Sequence, residues 1–399
     1  MTDQGKPEGS SLMSADETPS LLALNCGSSS IKFALFTLGL EKTSHGLIEA
    51  IGGREAPRLN VAGEDTMTFG EPGQGHADLL PRLIDEVIVP RGERITGVGH
   101  RIVHGGEDFD TPVRIDPVTR QAIARLSPLA PAHQPHNLAG IDAVAEKLPG
   151  VTQFACFDTA FHATVSRVRR EMPLPRAYAR QGLLRYGFHG LSYQHVAATL
   201  PTLGLAEGRV IACHLGNGAS ICGMINGRSA WTSMGFTPLD GLMMGQRPGR
   251  LDPGAVLWLI EQHLGDVAAV NTLLNKNSGL AGVSGISGDM RVLMESGTDE
   301  ARFAIGMYVD RLVEEIGSAA AAIDGCDALV FSGGVGENAS AIRAAAIERL
   351  KWLGFDLDPE ANMASAQCIT RNASSPKAFI VNADEEIVIA RAMAETIGA

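Results

Sequence analysis

Asn25, Gly27, Ser28, Ser29, Ser30 and Lys32 share one eight-residue stretch, where one apolar run ends and a second begins. Small hydroxyls, bare glycine backbone and a single ammonium at that spacing suit the binding of an anion. Backbone N–H groups in a tight turn form an anion-holding nest, and a glycine without Cβ lets a ligand come close to the chain. The same residues would equally serve as a polar hairpin turn. The common P-loop is excluded, because it needs four residues between its glycines, then Lys-Ser/Thr and a helix. Here the chain continues through Ile31, Phe33, Leu35 and Phe36, a β-rich pattern. The whole of Leu21–Phe36 therefore reads as a β-hairpin with a Gly/Ser tip.

The design recurs. Ile211–Leu215 runs into Gly216-Asn217-Gly218-Ala219-Ser220, and a second strand leads to an Asn226-Gly227 turn. Two strand–tip–strand units half a chain apart indicate an internal duplication. Facing each other across a cleft, the two tips could hold a polyphosphate from both sides.

Other candidate groups lie between and after them. Arg101 stands among apolar residues in Ile95–Phe109, where an unpaired guanidinium is costly; a carboxylate or phosphate ligand would answer it. Asp158 ends the apolar run Val151–Phe157, a position that suits metal or catalytic work and equally a turn. His189 sits between Gly187 and Gly190, in a tight loop. Thr232–Asp252 is a long Gly/Pro-punctuated segment with Arg247 and Arg250, and loops of that length in a compact domain are usually functional. In Ala328–Asn338 a buried strand enters a glycine-rich turn before an alanine-rich helix from Ala339, which suits a nucleotide phosphate or ribose. Asp384-Glu385-Glu386 opens the last helix, where acidic residues complement the macrodipole or ligate Mg²⁺.

The elements that must position these groups are legible in outline. The spacing predicts helices over 77–89, 137–147, 253–263, 267–274 and 300–323, further strands over 46–69, a proline-rich loop from Ser127, a Gly/Ser loop over 275–288 and a last strand at 378–382. With 399 residues the chain should form two or three domains. It is 45% hydrophobic and 20% charged, which is not a disordered composition. The net charge of −12 argues against a general nucleic-acid binder. Six scattered cysteines without a C-x-x-C pair point to free thiols of a reducing compartment. No leader or run of about 18 apolar residues is visible, so a soluble cytoplasmic protein is expected.

Eight stretches together resemble the acetate kinases, in that family's order from residue 21 onward: Asn25–Lys32, Gly99–Gly106, Phe157–His162, Tyr186–Gly190, His214–Gly218, Thr232–Leu242, Gly333–Asn338 and Asp384–Ile387. The resemblance implies an α/β fold of two duplicated ribonuclease-H-like domains flanking a nucleotide cleft, as in the actin/hexokinase/Hsp70 superfamily. It implies an N-terminal domain of 21–158 plus 386–399, a C-terminal one of 159–385, and an extension at 1–20. The implied reaction is ATP + acetate ⇌ ADP + acetyl phosphate, with Mg²⁺ (Mn²⁺ as a substitute) and a homodimer, and with no nucleic-acid or membrane partner.

Carried over by position, the resemblance puts Asn25 and Glu385 at the metal. Ser28, Ser30 and Lys32 fall at the phosphate hairpin. Arg101, Asp158, His189 and Arg247 match the family's catalytic residues. His214, Leu215, Gly216, Asn217 and Gly218 match nucleotide-binding positions, as do Asp289, Met290 and Arg291, and Gly333, Gly334, Val335, Gly336 and Glu337. Val103, Phe188 and Pro238 line the acyl pocket. This chain has Ala132 where the family usually carries leucine in that pocket, so propionate should be accepted more readily. Gln246 and Asp384 also depart from the commonest residues. A propionate or butyrate kinase, and a non-catalytic binder of ATP or acetyl phosphate, are the alternative readings.

Overall fold

A computed structural model describes residues 19–91, 93–131 and 133–397. Ala132 and residues 1–18 of the expected N-terminal extension lie outside the described residues. Strand β1 (Pro19–Cys26) is buried along almost its whole length, with alternate residues committed to different layers. Leu22 and Leu24 face one apolar cluster; Leu21 and Ala23 face another. A strand that reads as an unbroken apolar run is the expected signature of burial on both faces. Helices His76–Arg82 and Gln134–Lys147 cover the first face through Leu79, Leu80 and Val144. The terminal helix Glu385–Ile397 covers the second through Ile389 and Met393.

The first sheet continues with β2 (Ile31–Thr37), β3 (Lys42–Glu49), β4 (Arg58–Val61), β5 (Met67–Thr68), β6 (Arg94–Ile102), β7 (Val113–Arg114) and β8 (Thr152–Phe157). Its order is β5-β4-β3-β2-β1-β6-β8-β7. The second comprises β9 (Arg209–Leu215), β10 (Ala219–Ile225), β11 (Arg228–Thr232), β12 (Ala328–Ser332) and β13 (Lys377–Ile380), in the order β11-β10-β9-β12-β13. The duplication is explicit in this topology. Each unit has a three-stranded antiparallel meander, β1-β2-β3 or β9-β10-β11. Its first strand then pairs in parallel with a later strand, which pairs in parallel with another: β1-β6-β8 and β9-β12-β13. In the second unit Ile211, Cys213 and Leu215 point into the core under helix Asp299–Ala322, while Val210 and Ala212 point to the layer of helix Gly190–Thr199.

Several local readings are corrected. The helix expected over 77–89 is α-helical only to Arg82 and continues as a π-helical stretch, Leu83–Ile88, just after Pro81. A proline deprives the ladder of a donor, and wider turns accommodate that. The helix expected from Asn137 starts at Gln134, because Pro135 sits in the first turn, where its missing N–H costs nothing. The Gly/Ser loop over 275–288 contains a helix, Gly279–Ser284. The glycine-rich segment after β12 is itself helical, Gly333–Asn338, before a second helix, Ser340–Arg349. β1 begins at Pro19, inside the expected extension. All six cysteines are free, and four are buried.

Candidate active site

The first hairpin ends as read from the sequence. Gly27 N–H donates to Ser30 O at 2.9 Å and closes the tip, leaving the Ser28 and Ser29 side chains exposed. Lys32 projects from β2 on the exposed side; among the described residues its ammonium has no hydrogen-bond partner, and its charge acts on Glu385, Glu386 and His214. Asn25, opposite Lys32 in the β1–β2 register, points to the same place.

Arg101, near the end of β6, is the hub. Its Nε and Nη2 donate to the two oxygens of Asp158 at 3.0 and 2.5 Å, a bidentate pair. Its Nη1 donates to Asn25 Oδ1 at 3.0 Å, and its Nε lies 3.5 Å from Glu385 Oε2. Asn25 Nδ2 donates to the same Glu385 oxygen at 3.0 Å. The Arg101 side chain is 14% exposed and that of Asp158 1%. Burial pushes the Asp158 carboxyl up, to about 6, and Arg101 pulls against that rise, so it is ionised at neutral pH. Burial also acts to raise Glu385, but Arg101, His214, Lys32 and Asn25 outweigh it and hold the carboxyl below its usual range. Both Asp158 oxygens are committed to holding the Arg101 guanidinium in place.

His189 enters from the other unit. It occupies the left-handed region (φ 59°, ψ 26°) just before helix Gly190–Thr199. A non-glycine residue held there is strained, and such strain persists where the surroundings over-determine it. The helix start is pressed onto the end of β8: a Cβ on Gly190 would lie 2.0 Å from the Asp158 carbonyl oxygen. This contact ties the start of that helix to the end of β8. Burial, and then the neighbouring His214, Arg101 and Arg247, push the His189 imidazole well below its usual value, so it is neutral.

Arg247 stands in the long segment 233–252. That segment is anchored, not disordered: Met234, Met243 and Met244 are buried, and Arg185 donates to the Ser233 and Met234 carbonyls at 3.2 and 2.8 Å. Among the described residues the Arg247 guanidinium makes one hydrogen bond, from Nη1 to Pro238 O at 2.7 Å, and has no carboxylate partner. Burial lowers it to about 10. The second hairpin tip lies directly against it. A Cβ on Gly218 would fall 2.7 Å from Arg247 Nη2 and 3.3 Å from His189 Nε2. Gly218→Ala is therefore expected to displace the guanidinium and lower kcat/KM by about 100-fold, the usual cost of a 1 Å misplacement. The midpoint of thermal unfolding should hardly move; steady-state kinetics with a melting curve check both.

Beyond the second tip a cavity of about 780 Å³ opens, lined by Gly216, Asn217, Asp289, Met290, Arg291, Gly334 and Val335 among others. These expected nucleotide residues converge from three separate segments. Arg291 Nη2 pairs with Asp289 Oδ2 at 2.7 Å, keeping that rim in place. Glu337 faces elsewhere. Its Oε1 accepts from Gly333 and Ala383 N–H, both at 2.9 Å, and so braces the glycine-rich helix. Leu215 is fully buried in the core. Of the residues expected in the acyl pocket, Val103 and Phe188 are buried in one apolar cluster, and Pro238 accepts from Arg247.

Three residues went unnoticed as functional groups. His133 is neutral through burial and lies near both Arg101 and Arg247. Ser220 and Tyr193 brace His189, with Ser220 Oγ 2.9 Å from its Nδ1. Only the His/Pro density around His133 marked that site in the sequence; nothing marked the other two.

A sequence model of the Acetokinase family matches residues 20–391. The chain belongs to the acetokinase family. An acetate kinase of Rhodopseudomonas palustris (strain TIE-1) is 46% identical over 387 residues, covering 93% of this chain and 96% of that protein. Among solved structures, a propionate kinase from Francisella tularensis superposes with a TM-score of 0.88 at 34% identity, covering 94% of this chain and 98% of that one. An acetate kinase from Porphyromonas gingivalis gives 0.84 at 35%, covering 96% and 100%. The chain is thus a phosphotransferase with a carboxyl group as acceptor, on the two-domain actin-like ATPase fold with which the duplicated sheets are consistent.

Proposed function

We propose that this chain catalyses reversible transfer of the terminal phosphoryl group of ATP to the carboxylate of acetate, giving acetyl phosphate and ADP. One observation carries the reading: the charges of Arg101 from the first unit and Arg247 from the second both act on His133 and His189, and Arg247 and His189 lie together against the Gly218 tip. A carboxylate nucleophile has a pKa of roughly 4 to 5 and is ionised at neutral pH, so it needs no base. It needs alignment and positive charge, the two demands of phosphoryl transfer. Arg247, with its unpaired donors, grips the incoming anions in fork geometry. Arg101 is held by Asp158 and Asn25 so that its charge faces the same space. The neutral His189 donates from Nε2 to an oxygen of the group in flight. Val103, Phe188 and Pro238 give the acyl tail an apolar wall.

Mg²⁺ fits the acidic end of this site. Among the described residues no group of three or more His, Cys, Asp or Glu side chains could hold a metal alone. Glu385, held ionised beside Asn25, supplies one carboxylate, which suits a cation that takes its other ligands from phosphates and water. When bound, the ion would neutralise charge on the phosphates, and Lys32 and the Ser28–Ser30 tip would hold their oxygens.

The chain is read as two domains, 21–158 with 386–399, and 159–385, a division supported by its two separate sheets. A second copy of the chain would explain an apolar face. Helix Pro253–Gln262 buries none of its residues, and Leu257, Trp258, Leu264 and Val267 are 58–97% exposed. Trp258→Asp should halve the sedimenting mass if that face joins two protomers; an unchanged mass would place the interface elsewhere. The free thiols, and described residues in which no helix could cross a membrane, support a cytoplasmic setting.

The function is tested by hydroxamate trapping of the acyl phosphate with ATP, Mg²⁺ and a panel of C2–C4 acids. Turnover of acetate is expected, with propionate close behind on account of Ala132. One methylene of pocket fit is worth about 1–3 kcal/mol, so a large preference for propionate or butyrate would make this the longer-chain kinase. No product with any acid would leave a non-catalytic binder.

A further inference from the structure

We propose that Tyr193 and Ser220 are positioning residues that fix His189 as the tautomer carrying its proton on Nε2. The proposal rests on the reading of His189 as a hydrogen-bond donor to the transferring group. Three side chains form a chain of contacts leading away from the cleft: His189 Nδ1 to Ser220 Oγ at 2.9 Å, and Ser220 Oγ to Tyr193 Oη at 2.5 Å. Tyr193 is 1% exposed and Ser220 0%, so water does not compete for these groups.

A proton inventory then decides the direction. The Tyr193 hydroxyl has one hydrogen, and among the described residues Ser220 Oγ is the acceptor within its reach. Tyrosine therefore donates to serine. Serine also has one hydrogen, and the contact left for it is His189 Nδ1. A nitrogen that accepts carries no proton, so in the neutral ring the proton is on Nε2. Nε2 is the atom beside Gly218 and Arg247. In the opposite tautomer a lone pair on Nε2 would face the phosphoryl oxygens and repel them.

The fold makes the arrangement rigid. Tyr193 is in the first turn of the helix that His189 opens, its N–H donating to His189 O at 3.1 Å. Ser192, one residue earlier, meets His214 Nδ1 at 2.8 Å. His214 and Ser220 are directly opposed in the β9–β10 register. One helical turn thus rests two hydroxyl contacts on one cross-strand pair, and the two imidazoles lie 4.4 Å apart.

The test is ¹⁵N NMR of the histidine-labelled full-length protein, with His189 assigned by its loss in His189→Gln. A pyrrole-type nitrogen at Nε2 and a pyridine-type nitrogen at Nδ1 are expected. The reverse pattern, or a cationic ring, overturns the proposal. Ser220→Ala should mix the tautomers and lower kcat by about 10- to 100-fold, short of losing the donor outright, with little change in KM for ATP. Ser220→Thr should restore the signature and most of the rate, and Tyr193→Phe should shift the tautomer balance in the same direction as Ser220→Ala. On a His189→Gln background Ser220→Ala should cost nothing more; an independent further loss there would mean a merely structural serine. Should His189→Gln itself keep full activity, the donor role falls; should it be inactive while both hydroxyl variants keep wild-type spectra and rates, only the relay falls.

Discussion

Arg101→Ala should lower kcat/KM by about 100- to 1,000-fold, and it should also destabilise the protein. The activity loss corresponds to roughly 2–4 kcal/mol of transition-state stabilisation, as for removal of one preorganised donor from a charge-stabilising site. The stability loss has a separate cause. Asp158 is fully enclosed and spends both oxygens on Arg101. Without the guanidinium a buried carboxylate is left unpaired, which costs about 3–5 kcal/mol when the charge cannot be shed. It can be shed by protonation. A buried acid that has lost its counter-ion has a raised pKa, so the folded variant binds a proton more tightly than the unfolded chain does. Its stability is therefore retained at low pH and lost as the pH rises towards the folded-state value. Melting curves at pH 5.5 and 8 should show the deficit growing with pH. Arg101→Ala with Asp158→Asn should recover stability at pH 8 without recovering activity. Equal deficits at both pH values would mean that the pair does not hold the fold.

Arg247→Ala should cost as much activity and no stability. Among the described residues its guanidinium has a single carbonyl partner and no carboxylate, and burial works against its charge. Removing it relieves a penalty instead of creating one. The melting temperature of Arg247→Ala should equal or exceed that of the wild type, while the stabilisation conferred by ADP or ATP shrinks. Kinetics alone cannot separate the two arginines, but the combination with melting curves can. A large stability loss in Arg247→Ala would show that the residue serves the fold and not the ligand.

The contrast between these arginines shows what sequence could and could not convey. Both hairpins were legible because β1, β2, β9 and β10 are buried on two faces and interrupted by glycine at their tips, a pattern that composition alone imposes. The repeated meander followed from it. Arg101 stood out as a charge in an apolar run, but its partner is 57 positions away, and no local rule joins them. The helices Gly279–Ser284 and Gly333–Asn338 were invisible to propensity, since glycine disfavours a helix by about 1 kcal/mol per residue; tertiary contacts decide there. Glu337 was placed at the nucleotide by resemblance, and its carboxylate turns back onto two backbone amides. The Tyr193–Ser220–His189 chain depends on a cross-strand register and a helix start, neither of which sequence spacing encodes.

In the proposed reaction this site positions two anions and contributes no atom to the bond being made. Asp158 is held on Arg101, Glu385 on Asn25, and His189 Nδ1 on Ser220, so none of these three is read as a phosphoryl carrier. The most direct measurement is the stereochemical course of transfer from ATP made chiral at its terminal phosphorus with oxygen isotopes. A single in-line displacement predicts inversion in the acetyl phosphate formed. Retention would require two displacements through a phosphorylated residue and would contradict the account.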